Sequence, residues 1–197
     1  MKIGLVLEGG GLRGMYTNGV LDAFLDAHFM PDYIIGVSAG ACNGVSYAAG
    51  QRGRGRRVIM DHVGDPRYLS LSNYVKTRSL FGMEFIFHTI PEEMDYFDYD
   101  AFLSNPCEFV TGVTDLLTGR PAYFDKSALD HDTTVLMASS SIPIFSPPVF
   151  YRGRRYLDGG TSDPIPVKKA LADGCDRVVV VLTRNRDYRK APEKWKK

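Results

Sequence analysis

The sequence predicts a three-layer α/β/α fold built on a mostly parallel central sheet. Three observations carry that expectation. Short apolar runs at Ile3–Leu7, Tyr33–Ile35 and Val178–Leu182 read as strands buried on both faces, because they are continuous rather than alternating. Segments with helical spacing alternate with these runs, which is the order of βα units. The 197 residues, 44% apolar and 24% charged, are enough for one domain with a substantial core, and no internal repeat or low-complexity linker divides them.

The elements follow in order. Ile3 to Leu7 is the first strand, followed at once by Gly9-Gly10-Gly11. A helix is expected from near Leu12, with Val20, Leu21, Phe24, Leu25 and Phe29 on its buried stripe and Asp22 and Asp26 facing water. Pro31-Asp32 ends it and opens the second strand, and a helix from Ala41 to Ala49 follows. After Gly53 and Gly55 another short helix is expected. From Gly64 to Phe97 the periodicity is weak, predicting loops and short helices. The apolar cluster Leu80, Phe81, Met83, Phe85, Ile86 and Phe87 there is expected to pack as core, with an acyl pocket or lid as the alternative. Glu108–Thr114 and Pro121–Phe124 read as a strand pair turning at Leu117-Thr118-Gly119. Thr133–Ser141 reads as a helix stopped by Pro143. Val149–Tyr151 and Arg155–Leu157 form a hairpin leading into Asp158-Gly159-Gly160, and Val167–Ala172 is a helix before the last strand.

Composition excludes several classes. Three isolated cysteines, Cys42, Cys107 and Cys175, argue against a disulfide scaffold, and their spacing with the four histidines suggests no metal site. The N-terminal run is broken by Glu8 before a signal-peptide core could form, and no apolar stretch reaches bilayer length, so a cytoplasmic protein is expected. Net charge is +1. The cluster Arg52, Arg54, Arg56, Arg57 and the basic tail Arg184–Lys197 are expected to be solvated surface, with contact to lipid headgroups as the alternative and nucleic acid not expected.

Gly36-Val37-Ser38-Ala39-Gly40 sets a serine between two glycines on a strand-to-helix turn, the form of a nucleophile elbow. Gly9-Gly10-Gly11-Leu12-Arg13-Gly14 supports two incompatible readings. As G-x-G-x-x-G after a strand it matches a dinucleotide loop, but the acid that would bind a ribose is missing from the end of the second strand, where Ser38 sits. As part of a hydrolase it offers consecutive backbone N–H groups to a developing oxyanion, with the Ala39 N–H as a further donor. A serine needs a base. None of His28, His62, His88 and His131 falls after a strand near the end of the chain, whereas Asp158 closes a strand before two glycines. Such a carboxylate gains basicity in a site shielded from water, which predicts an apolar cleft.

With Gly9–Gly14, Gly36–Gly40 and Asp158-Gly159-Gly160 in this order, and Ala138-Ser139-Ser140-Ser141-Ile142-Pro143 before the aspartate strand, the chain resembles the patatin-like phospholipases, and most closely the family's bacterial branch. The resemblance implies a patatin-like fold and a lipid acyl hydrolase acting through a serine/aspartate dyad. Ser38 is then the nucleophile and Asp158 the base. Gly9, Gly10, Gly11 and Arg13 form the oxyanion loop, and no metal or organic cofactor is needed. The partner is a phospholipid or other acyl lipid, met in the cytoplasm or at a membrane surface. A nucleotide-binding oxidoreductase and an idle lipid-binding module remain the alternatives. Two departures stand out: Glu8 occupies a position where plant members carry aspartate, and Asp163 lies where many members carry asparagine. Bacterial members continue past the strand ending at Leu182, so the 1–197 domain is either a natural short form or lacks a C-terminal segment.

Overall fold

A computed structural model describes residues 1–185 and 187–189. Among these, β1 (Ile3–Leu7), β2 (Tyr33–Val37), β3 (Glu108–Asp115), β4 (Pro121–Asp125), β5 (Val149–Tyr151), β6 (Arg154–Asp158) and β7 (Arg177–Val181) form one sheet. The helices are α1 (Gly14–Asp26), α2 (Ala39–Ala48), α3 (Arg54–Met60), α4 (Leu71–Thr77), α5 (Tyr99–Ser104), α6 (Thr134–Ser139) and α7 (Val167–Ala172). Most of the basic tail lies outside the described residues.

β1 and β2 are buried on both faces, as the sequence predicts, whereas β7 is the edge strand of the sheet and leaves Val179, Val180 and, just past it, Leu182 exposed, against that expectation. Leu5, Leu7 and Ile34 face one core, which α1, α2, α5 and α6 also fill, while Val6, Tyr33 and Ile35 face a second core closed by Ala170 of α7. This is the period of two expected of a strand, and it makes the sheet the middle of three layers. β1, β2, β3 and β7 are parallel to one another, and β4 and β6 run against β3.

The pairing of β3 positions the rest. One edge of β3 is taken by β4, from Val110↔Asp125 to Thr114↔Pro121. The other edge is shared: β2 covers it from Tyr33↔Glu108 to Val37↔Gly112, and β6 covers the remainder, with Asp158 opposite Val113. β2 and β6 therefore approach each other end to end, and the residue after Val37 is brought beside Asp158.

Several boundaries differ from the sequence reading. The first helix begins as a 3-10 turn at Gly11–Arg13 and ends at Asp26, leaving Phe29 beyond it. α2 starts at Ala39, directly after Ser38, and α6 stops at Ser139. The weakly periodic region holds α4 and then a π-helical segment, Phe85–Met94, that contains Pro91. Proline supplies no N–H, and the Asp95 N–H reaches back five residues to Ile90 O at 2.8 Å, the wider turn of a π-helix.

Glycine placement gives a paired test. A Cβ on Gly36 would stand 2.6 Å from the backbone of Ala41, whereas one on Gly19, inside α1, would meet nothing within 4 Å. Gly36→Ala is expected to destabilise the chain by about 2–3 kcal/mol through overpacking, and Gly19→Ala to stabilise it by about 0.5–1 kcal/mol through helix propensity. Chemical denaturation measures both.

Candidate active site

Ser38 is the residue at which the chain leaves the sheet. Its φ of 54° and ψ of −127° lie in a region that side-chain-bearing residues rarely occupy. The turn is tight enough that a Cβ on Gly40 would meet Leu7 O at 2.4 Å. Strain of this kind persists only when the surroundings hold it. Ser139, fully buried at the end of α6, does so: its hydroxyl accepts from the Ser38 N–H at 2.8 Å and donates to Gly112 O at 2.7 Å.

Asp158 is held by the same segment and by its own loop. Its N–H donates to Ser141 O at 2.9 Å, its carbonyl accepts from the Thr114 hydroxyl at 2.8 Å, and its carboxylate accepts from the Gly160 N–H at 2.7 Å. A Cβ on Gly159 would overlap Gly112 O at 2.3 Å, so only glycine lets this loop close on β3. Burial pushes the Asp158 carboxyl above the usual carboxylate range, opposed by the nearby Ser38 side chain and by the Gly160 N–H. Ser38 and Asp158 are thus neighbours, both less than a tenth exposed.

The glycine loop lies over the elbow. A Cβ on Gly9 would come within 3.2 Å of the Ser38 Cβ. The N–H groups of Gly9, Gly10, Gly11 and Ala39 have no acceptor among the described residues. Glu8 anchors the loop: its carboxylate accepts from the Thr183 N–H at 2.5 Å, and the Thr183 hydroxyl lies 3.0 Å from Gly9 O. Gly14 packs α1 on α2, its carbonyl accepting from the Asn43 side chain at 2.9 Å. Arg13 is exposed and lines no part of the cleft. Asp163, at the family's asparagine position, accepts from the Tyr123 hydroxyl at 2.6 Å.

From Ser38 and Ala39 a cleft runs inward, with Phe81, Met83, Ile86 and Ile142 on its apolar walls. A second chamber, reaching Phe102, Leu129 and Leu136, shares Cys42, Arg54, Val58, Ile86 and Phe87 with the first. The cluster at 80–87 therefore lines the cleft as well as packing, with Phe85 turned into a small core against Tyr68 and Ile90. Cys42 offers no rival nucleophile, since burial pushes its thiol up to about 11.

Arg52, Arg56 and Arg57 lie on the surface, as the sequence suggests, and Arg54 does not. Arg54 is 7% exposed, donates to Ser46 Oγ at 3.1 Å and to Asp95 O at 2.9 Å, and packs on Phe97. Arg52 pairs with Asp26 and Arg57 with Asp95. The acids that pair with these arginines lie far along the chain, and nothing local to the cluster signals them. The histidines stay away from Ser38: His131 stacks on Tyr99, His62 meets Phe85, His88 faces Glu92, and His28 sits just past α1.

Comparison with known proteins bears on the family and the fold. The chain is 35% identical over 194 residues to the protein YjjU of Escherichia coli (strain K12), covering 92% of this chain and 52% of YjjU. It is 29% identical over 188 residues to a lysophospholipase nte1 of Aspergillus terreus, covering 91% of this chain and 12% of that protein. The chain thus spans about half of YjjU and a small part of the fungal protein. VipD from Legionella pneumophila shares the fold, with a TM-score of 0.58 at 15% identity over 91% of this chain and 49% of its own. The model of the family described as patatin-like phospholipase matches residues 5–171, which spans the glycine loop, the elbow and the Asp158 turn, and the chain belongs to that family.

Proposed function

We propose that this chain hydrolyses acyl esters of lipids, with Ser38 as nucleophile and Asp158 as its base. The observation that carries the reading is the end-to-end meeting of β2 and β6 on β3, which sets the Ser38 hydroxyl against a buried carboxylate at the mouth of an apolar cleft. The lysophospholipase name of the fungal relative favours a single-chain lipid as substrate.

In the first half-reaction the Ser38 proton passes to Asp158 as Oγ bonds to the substrate carbonyl carbon. The carbonyl oxygen takes up negative charge facing the unpartnered N–H groups of the glycine loop and Ala39, each such donor contributing on the order of 3 kcal/mol. Collapse breaks the ester bond, and the leaving alkoxide takes the proton from Asp158. Water then attacks the acyl-serine, its proton going to Asp158, and the fatty acid leaves as the proton returns to Ser38. Every group in this sequence belongs to the chain. Arg13, exposed and outside the cleft, serves at most as a distant positive charge.

No helix of the described residues is long and apolar enough to cross a membrane. The reading is that of a cytoplasmic enzyme that meets lipid at a membrane surface. A dinucleotide reading has no support at the end of β2, where Ser38 replaces the carboxylate it requires.

Release of fatty acid from a lysophospholipid is the direct assay. Ser38→Ala and Asp158→Asn are each expected to lower kcat/KM by at least about 10³-fold. Folded wild-type chain that releases no fatty acid from any phospholipid, lysophospholipid or short-chain ester would sink the reading. Because the reaction needs the Asp158 carboxylate while burial raises its pKa above 3.8, kcat/KM is expected to fall with decreasing pH at a midpoint above that value.

The same shift has a stability sign. A raised folded pKa favours the folded state below the unfolded value, and the gain is lost as pH rises through the folded one. At neutral pH the buried carboxylate therefore opposes folding, and Asp158→Asn should melt no lower than wild type. Ser139→Ala orphans the Ser38 N–H and is expected to cost about 1–3 kcal/mol on denaturation, with kcat falling more than KM rises.

A further inference from the structure

Two segments on the rim of the cleft carry apolar side chains that the fold does not bury. On α4, Leu71 is 77% and Val75 is 80% exposed, and their spacing of four puts them on one helix face. In the turn after α6, Ile144 is 83% and Phe145 is 47% exposed. The two segments are joined, since the Leu80 N–H donates to Phe145 O at 2.9 Å and the Ser79 and Ser146 hydroxyls are 2.7 Å apart. Phe81, four residues past α4, and Ile142, at the head of the turn, line the cleft. The segments that wall the cleft thus present an apolar surface beside it.

Ile144 is the telling residue. Its φ of 73° is a left-handed conformation in which a β-branched side chain is strained and glycine would be at ease. It buries almost nothing in return. A side chain that burdens the folded chain and packs against nothing within it points to a role outside the chain.

Charge selects the partner. From Pro66 to Met83 the chain holds Arg67, Lys76 and Arg78 and no acid, and from Thr133 to Leu157 it holds Arg152, Arg154 and Arg155 and no acid. Arg67 pairs with Asp65 and Arg154 with Asp115, while Lys76, Arg78, Arg152 and Arg155 have no acidic partner among the described residues. Apolar side chains flanked by uncompensated cations complement the headgroup boundary of an anionic bilayer.

We infer that α4 and the Ile142–Ser146 turn form a docking surface for an anionic lipid bilayer, inserting Leu71, Val75 and Ile144 and setting the cleft mouth against the membrane. Its purpose rests on the acyl-hydrolase reading; its existence does not. Lipid leaving the bilayer would enter the cleft with little exposure of its acyl chain to water.

Flotation with phosphatidylcholine vesicles, with and without phosphatidylglycerol, tests this on the Ser38→Ala chain, which leaves vesicle lipid intact. The parent is expected to float with anionic vesicles, less so as salt is raised. Leu71→Gln/Val75→Gln/Ile144→Gly should weaken binding by about tenfold, and Lys76→Gln/Arg78→Gln/Arg152→Gln/Arg155→Gln should remove the anionic preference. Ile144→Gly alone should bind less while melting no lower than the parent, which separates docking from misfolding. With Ser38 restored, the triple variant should keep its rate on a soluble short-chain ester while losing about tenfold on vesicle lipid. A parent that does not float, or a triple variant that floats equally well, would overturn the inference. So would a concentration-dependent dimer on size exclusion, broken by the triple variant, in a parent that binds no vesicles, since the surface would then belong to a second copy. Flotation of a chain that hydrolyses no ester would uphold the docking surface and remove the acyl-hydrolase reading instead.

Discussion

One edge of β3 organises the molecule. β2 fills its first part as far as Gly112 and β6 its last part from Val113, running in the opposite sense. Two strands that meet head-on cannot both continue, so the backbone turns out of the sheet at Ser38 on one side and at Asp158 on the other. Both turns happen within one residue step of β3, where a side chain at position 36, 40 or 159 would collide with backbone. The glycines are a consequence of this crowding. The contact between the two polar side chains is its product.

Holding that contact has opposing effects. Ser38 sits in a strained conformation and Asp158 is a carboxylate kept from water, and both features work against folding. The compensation comes from α6 and the three residues that close it. Ser139 ties the elbow to β3, the Ser140 hydroxyl approaches Cys42 Sγ at 3.4 Å in the first turn of α2, and the Ser141 carbonyl holds the Asp158 N–H. Three consecutive serines fix the relative register of two elements more than a hundred residues apart. Glu8 and Thr183 do the same for the glycine loop from the far side of β1.

What was legible in the sequence was what depends on local geometry. The elbow, the glycine loop and the Asp158 turn each need small residues at fixed spacing, so each leaves a signature in a few consecutive positions. Buried strands are equally plain, because the continuous apolar runs in β1 and β2 have little else to be. The misread parts depend on distant partners. Arg54 looks like its surface neighbours until Asp95, Ser46 and Phe97 close around it. The 80–87 cluster reads as core, and Phe85 and Phe87 do pack there, but apolar content alone does not tell filling space from walling a cleft. The π-helical turn at Phe85–Met94 follows from Pro91 together with the packing of Phe85, Phe87 and Ile90, and periodicity tuned to 3.6 residues does not register it.

The central claim is that the geometry at the junction of β2 and β6 activates Ser38 through Asp158. Covalent labelling with a fluorophosphonate, followed by intact mass and peptide mapping, tests it most directly because it reads nucleophilicity without assuming a substrate. The expected result is a single adduct on the peptide bearing Ser38, absent in Ser38→Ala and formed at least about 10²-fold more slowly in Asp158→Asn. A folded wild-type chain that takes up no label, or takes it on another serine such as Ser140, would contradict the account.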